Sequence, residues 1–441
     1  MTLPSPELDK RLQHRYQQLV QEHLGQAKTT SAGPRPLPSD TTAFAATQAA
    51  WRFYRNPRVT LPRLVQPLVD FAHTATAKDC QDYLLMVHDW SHVDYVGHHS
   101  KPDRLFGTHP GEVGYELQVA LAVSDCTGCP LAPVYLGLQA ADGVHDSRFA
   151  TLQQPDTHLD GLLGLFDHLQ KLEWQRPVVH IIDREADSVG HFRAWQKAGH
   201  LFLVRVDDRL VRYQGNECLL SAVVERLQAQ GAFHFSREVE YHGRPARQEV
   251  AEAAVELHRE AWRTRIIDGK KKKWRVYGKV LPLRLVVSRV YSRQGELLAE
   301  WLLLTNVPTT VLAATVALWY YWRWRIESYF KLLKSAGLEL EHWQQEKASA
   351  ITRRLLVAGM ACAWAWHVAR DPTPAGSTLR RLLVRLSGRQ MGRGVEYTDP
   401  ALVAGMWVLL AMLETLEQYS LADLQRLATL ILPRPQSSNS S

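Results

Sequence analysis

One segment of this 441-residue chain carries a stripe of polar side chains whose chemistry suits phosphate groups. The segment YYWRWRIESYFKLLKSAG, residues 320–337, contains no proline and predicts a helix of 3.6 residues per turn. Five of its residues fall within an arc of roughly 80° on such a helix: Tyr320, Arg323, Glu327, Lys331 and Lys334. Cations at this spacing can hold phosphates, and the lone carboxylate among them can ligate a metal ion. Alternatively, the stripe is a solvated face on which Arg323, Glu327 and Lys331 form i,i+4 ion pairs.

Two aspartates can give Glu327 carboxylate neighbours. Asp89 closes a predicted strand after YLLMVH, and Asp183 closes another after PVVHII. If a right-handed crossover sets these strands side by side in parallel, both aspartates emerge at the same edge of the sheet. A helix packed on that sheet by its Trp/Ile/Leu stripe would bring Glu327 to the same point. Taken alone, Asp183 reads as a turn acid at the end of a strand.

Three converging carboxylates would repel one another and raise one another's pKa unless a cation lies among them. Ligands that offer only oxygen favour Mg²⁺, with Mn²⁺ as a substitute, over zinc. Two such ions about 3.5 to 4 Å apart can activate a water or a 3′ hydroxyl for in-line attack at phosphorus. The three acids therefore predict metal-dependent chemistry on a phosphodiester.

The elements around these residues predict an α/β fold. Between residues 82 and 206, apolar runs and helical periods follow the order β-β-β-α-β-α-β. Residues 209–300 hold further strand-like runs, interrupted by the basic segment DGKKKKWR, and predict a β-rich insertion. The chain reads as helical over residues 6–75 and beyond residue 345, with a Gly/Arg/Pro-rich break at 371–400. The predicted domains are residues 1–75, 76–370 and 371–441.

Composition narrows the class of protein. A hydrophobic content of 46% allows a large core, and a formal net charge of +7 favours a polyanionic partner such as nucleic acid. The first twenty residues lack the apolar core of a signal peptide, and the apolar runs at 355–369 and 401–413 are shorter than the roughly 20 residues that span a bilayer. We expect a cytoplasmic protein with buried helices at these runs and no membrane partner. The one CxxC, at Cys126 and Cys129, predicts a turn in preference to a zinc site.

Four stretches of the chain resemble DDE transposases, and more closely the insertion-sequence-four family of bacterial cut-and-paste transposases, the group that contains the transposon-five enzyme. They are the helix signature Tyr320-x2-Arg323-x3-Glu327-x6-Lys334, DREAD at 183–187, WRFYRNPRV at 51–59 and WLLLT at 301–305. The resemblance implies a ribonuclease-H-like catalytic core with a β-rich insertion. It also implies a helical N-terminal domain that binds DNA ends, and it makes the helical C-terminal region a candidate for dimerisation.

The resemblance implies roles for individual residues. Asp89, Asp183 and Glu327 would be the DDE triad and would hold the metal ions. Contacts to the DNA backbone would come from Tyr320, Arg323, Lys331, Lys334 and Arg205. Trp301 would fill the space left by a base flipped from the strand end, and its alternative is a place in the hydrophobic core. The chain departs from the family at the first acid, where it reads HDWSHVDY, so Asp82 and Asp94 stay as alternatives to Asp89.

The resemblance implies a transposase that binds the ends of its own element and cuts and rejoins double-stranded DNA, with a hairpin intermediate and a dimer that cuts in trans. A second hypothesis is a catalytically inactive DNA-binding derivative or inhibitor of such an enzyme. A third is a ribonuclease-H-like nuclease that cuts without joining. The run at residues 270–273 predicts either a solvated loop or additional phosphate contacts.

Overall fold

The computed structural model divides the chain into two compact units. The structure describes residues 4–24, 43–107, 109, 111–149, 157, 159–267, 270–276 and 278–431. The sheet unit comprises Val65–His92 and Asp103–Phe330, and the helical unit comprises Met1–Leu64, Val93–Pro102 and Lys331–Ser441. Within the region predicted as helical at residues 6–75, the sequence TTSAGPRPLPSDTT predicts an interruption at residues 29–42, and the chain ends in the polar segment QSSNSS at 436–441. Both segments lie outside the described residues.

The helices of the described residues are α1 (Lys10–Leu24), α2 (Ala43–Arg55), α3 (Leu61–Asp79), α4 (Leu162–Gln170), α5 (Val189–Lys197), α6 (Leu220–Ala229), α7 (Ala313–Trp322), α8 (Trp324–Lys331), α9 (Ala348–Arg370), α10 (Pro374–Leu386), α11 (Asp399–Gln418) and α12 (Leu421–Ile431). The strands are β1 (Leu84–Asp94), β2 (Leu105–Phe106), β3 (Val113–Ser124), β4 (Pro130–Ala140), β5 (Gly143–Asp146), β6 (Val178–Ile182), β7 (Leu201–Val206), β8 (Leu210–Tyr213), β9 (Asn216–Leu219), β10 (His234–Tyr241), β11 (Arg244–Leu257), β12 (Ala261–Ile267), β13 (Lys270–Val276), β14 (Leu281–Ser292) and β15 (Leu297–Thr305).

Parallel strands β1, β6 and β7 lie together within one large sheet of the sheet unit, ordered β5-β4-β3-β1-β6-β7-β15-β14-β11-β8-β9. Residues 84–87 of β1 are fully buried, as expected for a parallel strand that is covered on both faces. In the register of this pair, His88 lies opposite Ile182, the last residue of β6. The predicted α/β class is confirmed, and the strands associated with Asp89 and Asp183 are parallel neighbours.

The predicted β-rich insertion continues this sheet. β15 pairs antiparallel with β7, and β14, β11, β8 and β9 extend the sheet from there. One helix, α6, lies among the predicted strands, because Leu220, Val223, Val224 and Leu227 recur at helical spacing and are buried. The basic run at 270–273 begins β13, which pairs with β12 in a separate two-stranded ribbon, so the loop interpretation of that run is wrong.

The helix predicted over residues 320–337 is present, but a one-residue turn at Arg323, whose φ of −51° and ψ of −33° stay in the right-handed helical region, divides it into two. The Arg323 N–H donates to the Tyr320 carbonyl, and the Ile326 N–H donates to the Arg323 carbonyl. Such hydrogen bonds between residues three apart tighten the chain into a 3₁₀-like turn. α7 therefore ends just before Arg323 and α8 starts just after it, and a π-helical turn at Leu332–Ala336 follows α8.

α9 forms the core of the helical unit. It is buried along most of its length, which confirms the buried helix predicted at residues 355–369. The hydroxyls of Thr373 and Thr398 accept hydrogen bonds from backbone N–H groups and cap the first turns of α10 and α11. α10 occupies part of the segment 371–400, where the sequence predicted a break. The prediction missed this helix because its amphipathic pattern is short and begins at a proline.

α11 differs from the buried helix predicted at residues 401–413. Its start is buried at Ala401 and Leu402, but only 28% of its most apolar 18-residue window is buried. Leu413 and Leu416, near its end, are about half exposed. Among the described residues, α11 is the one helix long and apolar enough to cross a membrane. Length and composition alone do not separate a spanning helix from a helix of a soluble protein.

Candidate active site

Three carboxylates come together where β1, β6 and α8 meet in the sheet unit. Asp89 follows the last residue of β1 that pairs with β6, and Asp183 directly follows β6, so the parallel register places them side by side. Glu327 lies in the first turn of α8. β1 continues as far as Asp94, so Asp89 lies within its strand and does not close it as predicted. The structure brings the three predicted acids together.

The guanidinium of Arg323 lies among these carboxylates. Its Nη1 is 3.0 Å from Asp89 Oδ2, and its Nη2 is 3.4 Å from Asp183 Oδ2 and 2.5 Å from Glu327 Oε1. The Arg323 side chain is only 4% exposed, whereas that of Glu327 is 54% exposed. Arg323 was predicted to hold DNA phosphates, and in this structure it contacts the acids. We call Asp89, Asp183, Glu327 and Arg323 the acid edge.

Asp183 has further partners at the acid edge. The Tyr320 hydroxyl donates to Asp183 Oδ1 at 3.0 Å, and the backbone N–H of Arg184 donates to the same oxygen at 2.6 Å. Arg205 Nη1 lies 4.0 Å from that oxygen. Two residues predicted to contact DNA, Tyr320 and Arg205, therefore lie beside a predicted metal ligand.

Burial and neighbouring charge act in opposite directions on the two aspartates. Burial raises the pKa of Asp89 to about 6, although Arg323 favours its charged form. Burial also acts to raise the pKa of Asp183, but Arg323, the Arg184 N–H and Tyr320 outweigh it, so the pKa of Asp183 lies below its ordinary value. Asp183 is thus ionised at neutral pH. The pKa of Asp89 is raised, so an additional cation beside Asp89 would favour its ionised form.

The acids of the acid edge offer only oxygen donors, which suits Mg²⁺ or Mn²⁺. A tighter group occurs elsewhere among the described residues: donor atoms of Asp103, Asp142 and His145 all lie within 4.8 Å of one another. At the acid edge the guanidinium of Arg323 lies between the carboxylates instead. The acid edge therefore fits a divalent ion in donor chemistry, with the position among its oxygens taken by a side-chain cation.

The group of Asp103, Asp142 and His145 was missed in the sequence. His145 Nε2 lies 3.0 Å from Asp142 Oδ1 across the turn between β4 and β5, and the Tyr115 hydroxyl donates to Asp103 Oδ1 at 2.5 Å. In the sequence DGVH, Asp142 and His145 are three residues apart, and this spacing is a local signal for part of the group. Asp103 joins from a distant stretch of sequence, which no local pattern indicates.

The alternatives for the first acid lie away from Asp183. Asp82 precedes β1, at the opposite end of that strand from Asp89, and its backbone N–H donates to Asp125 Oδ2 at 2.8 Å. Asp94 ends β1 five residues beyond Asp89, which is about 16 Å along an extended strand. Of the three candidates, the structure groups Asp89 with Asp183.

The two lysines of the predicted stripe lie further along the chain. Lys331 is exposed at the end of α8, one turn beyond Glu327. Lys334 lies in the π-helical turn, with its Nζ 3.5 Å from Glu341 Oε1. Their contacts with DNA phosphates stay a prediction.

Trp301 lies on β15 in a cluster of aromatic rings. Its ring centroid is 5.8 Å from that of Trp324, 6.0 Å from that of Tyr320 and 6.4 Å from that of Tyr241. The residue is 5% exposed. Trp301 is therefore both buried, as a core residue would be, and packed against Tyr320, which donates to Asp183.

The last aspartate of DREAD was not singled out in the sequence, and it braces the turn that follows Asp183. Asp187 Oδ1 lies 2.9 Å from Arg209 Nη2, and its Oδ2 accepts from the Asp207 N–H at 3.0 Å. These contacts tie the turn after β6 to the segment after β7. The run of acids in DREAD was the available signal.

Comparison with a family model covers most of the sheet unit and part of the helical unit. The family model described as transposase DDE domain matches residues 81–365. No curated protein matches the chain. One solved structure, described as the cryo-EM structure of piggyBac transposase synaptic complex with hairpin DNA, aligns over 98% of this chain and 77% of that chain, with 9% sequence identity and a TM-score of 0.38. At that TM-score the likeness carries no argument about fold or function.

Proposed function

The chain belongs to the family of transposase DDE domains, and on that premise we propose that it binds the ends of its own insertion sequence and cuts and rejoins double-stranded DNA. The observation that carries this proposal is the meeting of Asp89, Asp183 and Glu327 around one cation. Membership of the insertion-sequence-four group, with cut-and-paste transposition, is the finer part of the proposal and rests on the sequence motifs.

In this proposal Asp89, Asp183 and Glu327 hold Mg²⁺ or Mn²⁺. When bound, the ions supply an activated oxygen nucleophile and stabilise the leaving oxygen at phosphorus. The protein's own residues position the DNA. Tyr320 and Arg205 flank Asp183 and can each donate to a phosphate oxygen next to the scissile bond.

The remaining parts of the chain have proposed roles in DNA binding and assembly. Residues 1–75 bind the element ends, residues 76–370 form a ribonuclease-H-like catalytic domain, and residues 371–441 contribute to a homodimer in the DNA complex. Lys331 and Lys334 add phosphate contacts. The protein acts in the bacterial cytoplasm, on the nucleoid.

A catalytically inactive DNA-binding derivative is the alternative function. It would keep end binding and would not need the charges of the three acids. The convergence of all three acids on one point supports the catalytic form, because binding alone gives no reason to gather negative charge beside DNA.

The test is to separate DNA binding from cleavage with Glu327→Gln, which keeps the shape of the side chain and removes the charge that holds a metal ion. Wild-type protein and the variant are incubated with Mg²⁺ and DNA that carries the inverted repeats flanking its own gene. We expect equal end binding and cleavage by the wild type only. Equal cleavage by both proteins would disprove the triad, and binding without cleavage by the wild type would favour the inactive derivative.

A further inference from the structure

Arg323 is the buried cation of the acid edge, and both terminal nitrogens of its guanidinium contact carboxylate oxygens. Nη1 contacts Asp89, and Nη2 contacts both Asp183 and Glu327. Its Cζ lies 5.8 Å from the centroid of the Tyr320 ring. Although burial opposes a charge here, Tyr320 and the acids raise the pKa of Arg323 above its ordinary value. One side chain therefore bridges three carboxylates that come from separate parts of the chain.

The local charges show why a cation is needed at this position. Three acids contribute three negative charges, and within 4.0 Å of them lie the guanidinium groups of Arg323 and, at that limit, Arg205. Without Arg323 the half-buried carboxylates would face one another with little compensation, which is unfavourable at low local dielectric. Arg323 thus supplies the charge that a bound divalent ion would otherwise supply.

The guanidinium of Arg323 competes with a divalent ion for the three carboxylate oxygens that it contacts. Mg²⁺ requires ligand oxygens at about 2.0 to 2.1 Å in near-octahedral geometry. Asp89 Oδ2, Asp183 Oδ2 and Glu327 Oε1 instead face guanidinium nitrogens at 2.5 to 3.4 Å. An ion that bound these three oxygens together would lie close to the positive nitrogens, so two cations would compete for the same acids.

Building on the proposed function, we propose that Arg323 is the resident counter-ion of the DNA-free protein and that a divalent ion occupies the acid edge only by displacing it. The displaced guanidinium needs another anion. A DNA phosphate is the acceptor whose geometry matches a guanidinium fork. Metal binding and DNA binding are therefore coupled through Arg323, and without DNA the guanidinium weakens the binding of a metal ion by the acids.

The test measures Mn²⁺ binding to the DNA-free protein directly, by the loss of the free-ion electron paramagnetic resonance signal during titration. Arg323→Gln should bind Mn²⁺ at least about tenfold more tightly than the wild type, because the competing charge is gone. Arg323→Lys should fall between them, since one ammonium cannot bridge three carboxylates. Melting temperatures of both variants verify folding. Arg212→Gln is the matched control and should leave the affinity unchanged, because Arg212 lies on β8, near the far edge of the sheet, with its Nη1 3.4 Å from Glu256 Oε2.

A second arm adds a short DNA duplex, which should tighten Mn²⁺ binding by the wild type more than by Arg323→Gln, because only the wild type has a guanidinium to transfer to phosphate. Unchanged or weaker Mn²⁺ binding by folded Arg323→Gln, together with loss of binding in Glu327→Gln, would overturn the displacement proposal and leave the metal site standing. Binding that Glu327→Gln does not alter would overturn the metal site itself and the displacement proposal with it.

Discussion

The strands around the acid edge also carry a second group of ionisable side chains, and the fold gives the two groups opposite environments. His88 comes immediately before Asp89, and His180 comes three residues before Asp183. These two histidines and His200 form a histidine layer that is almost completely buried. His88 Nε2 and His180 Nδ1 share a hydrogen bond of 2.9 Å. Residues one position apart on β1 thus belong to two groups with different chemistry.

The difference lies in the partners that burial provides. Phe166 stacks on His180 with ring centroids 3.7 Å apart, and burial lowers the pKa of His88 to about 3 and that of His180 well below its ordinary value. Among the residues that the structure describes, no acid is paired with either imidazole, so both stay neutral at pH 7. The acid edge remains ionic because Arg323 compensates its charge and because Glu327 is half exposed. Aromatic burial produces a structural layer, and compensated charge at a strand end leaves a site open to ligands.

Two substitutions near the end of β6 test the difference between the acid edge and the histidine layer most strongly. Asp183→Asn should lower the rate of DNA cleavage by at least about a thousandfold, because it removes the charge of a proposed metal ligand. Its melting temperature should fall less than that of His180→Leu, since Asp183 is partly exposed and asparagine keeps an oxygen that can accept from Tyr320 and the Arg184 N–H. His180→Leu should lower the melting temperature and leave the cleavage rate of the folded protein near wild type. Single-turnover cleavage and thermal melting of both variants decide the matter. The reverse pattern would contradict the division into two groups.

Trp301 tests where the boundary between the groups lies, because it is buried and yet touches Tyr320. Burial at 5% exposure predicts that Trp301→Ala costs about 3 to 5 kcal/mol of folding free energy, with all steps of the reaction reduced together. A residue reserved for a flipped base would instead cost little stability and would impair hairpin formation more than first-strand nicking. Trp195→Ala, at a fully buried tryptophan of α5, supplies the core reference. Melting curves and product analysis distinguish the two outcomes.

The free energy of unfolding at acidic pH should depend on the buried histidines of the histidine layer. An unfolded histidine titrates near pH 6.5, whereas folded His88 titrates at about 3. Between those values the unfolded chain binds a proton that the folded chain does not, so the free energy of unfolding falls as the pH drops below 6.5. The loss for His88 should reach about 2 kcal/mol at pH 5. His88→Leu should weaken this pH dependence by that amount. Chemical denaturation at pH 7 and pH 5 measures it.

The sequence predicted the acid edge where local patterns were enough. Apolar runs that end in aspartate marked β1 and β6, and the parallel register placed Asp89 beside Asp183. Helical spacing put Glu327 and Arg323 one turn apart, and this i,i+4 contact is present. The position of the Arg323 guanidinium among all three acids could not be predicted, because it depends on the turn between α7 and α8 and on the packing of α8.

Elements and contacts with weak local signals were the ones missed. α6 was hidden within a block of strand-like runs, and the group of Asp103, Asp142 and His145 depends on contact between distant stretches. The histidine layer was missed for the same reason. A histidine next to Asp89 has an ordinary strand pattern, and its pairing with His180 exists only once β1 and β6 lie side by side.

The smallest expected effect concerns exposed cations beyond the acid edge. Lys331 is exposed one turn after Glu327, so its proposed contact with a phosphate would act mainly by releasing counter-ions. Lys331→Ser should therefore lower the slope of log K against log salt for DNA binding by about one, with similar losses for specific and unrelated DNA. Fluorescence anisotropy over a range of salt concentrations gives this slope.

Lys171 provides the matched control for Lys331. It is an exposed lysine that follows α4, just before the residues that lead into the amino end of β6, so it lies at the opposite edge of the sheet from Asp183. Both substitutions remove one exposed positive charge, and a change in net charge alone would affect the two variants equally. A slope that falls for Lys331→Ser and not for Lys171→Ser locates DNA at the acid edge. Equal slopes in the two variants would mean that Lys331 makes no phosphate contact.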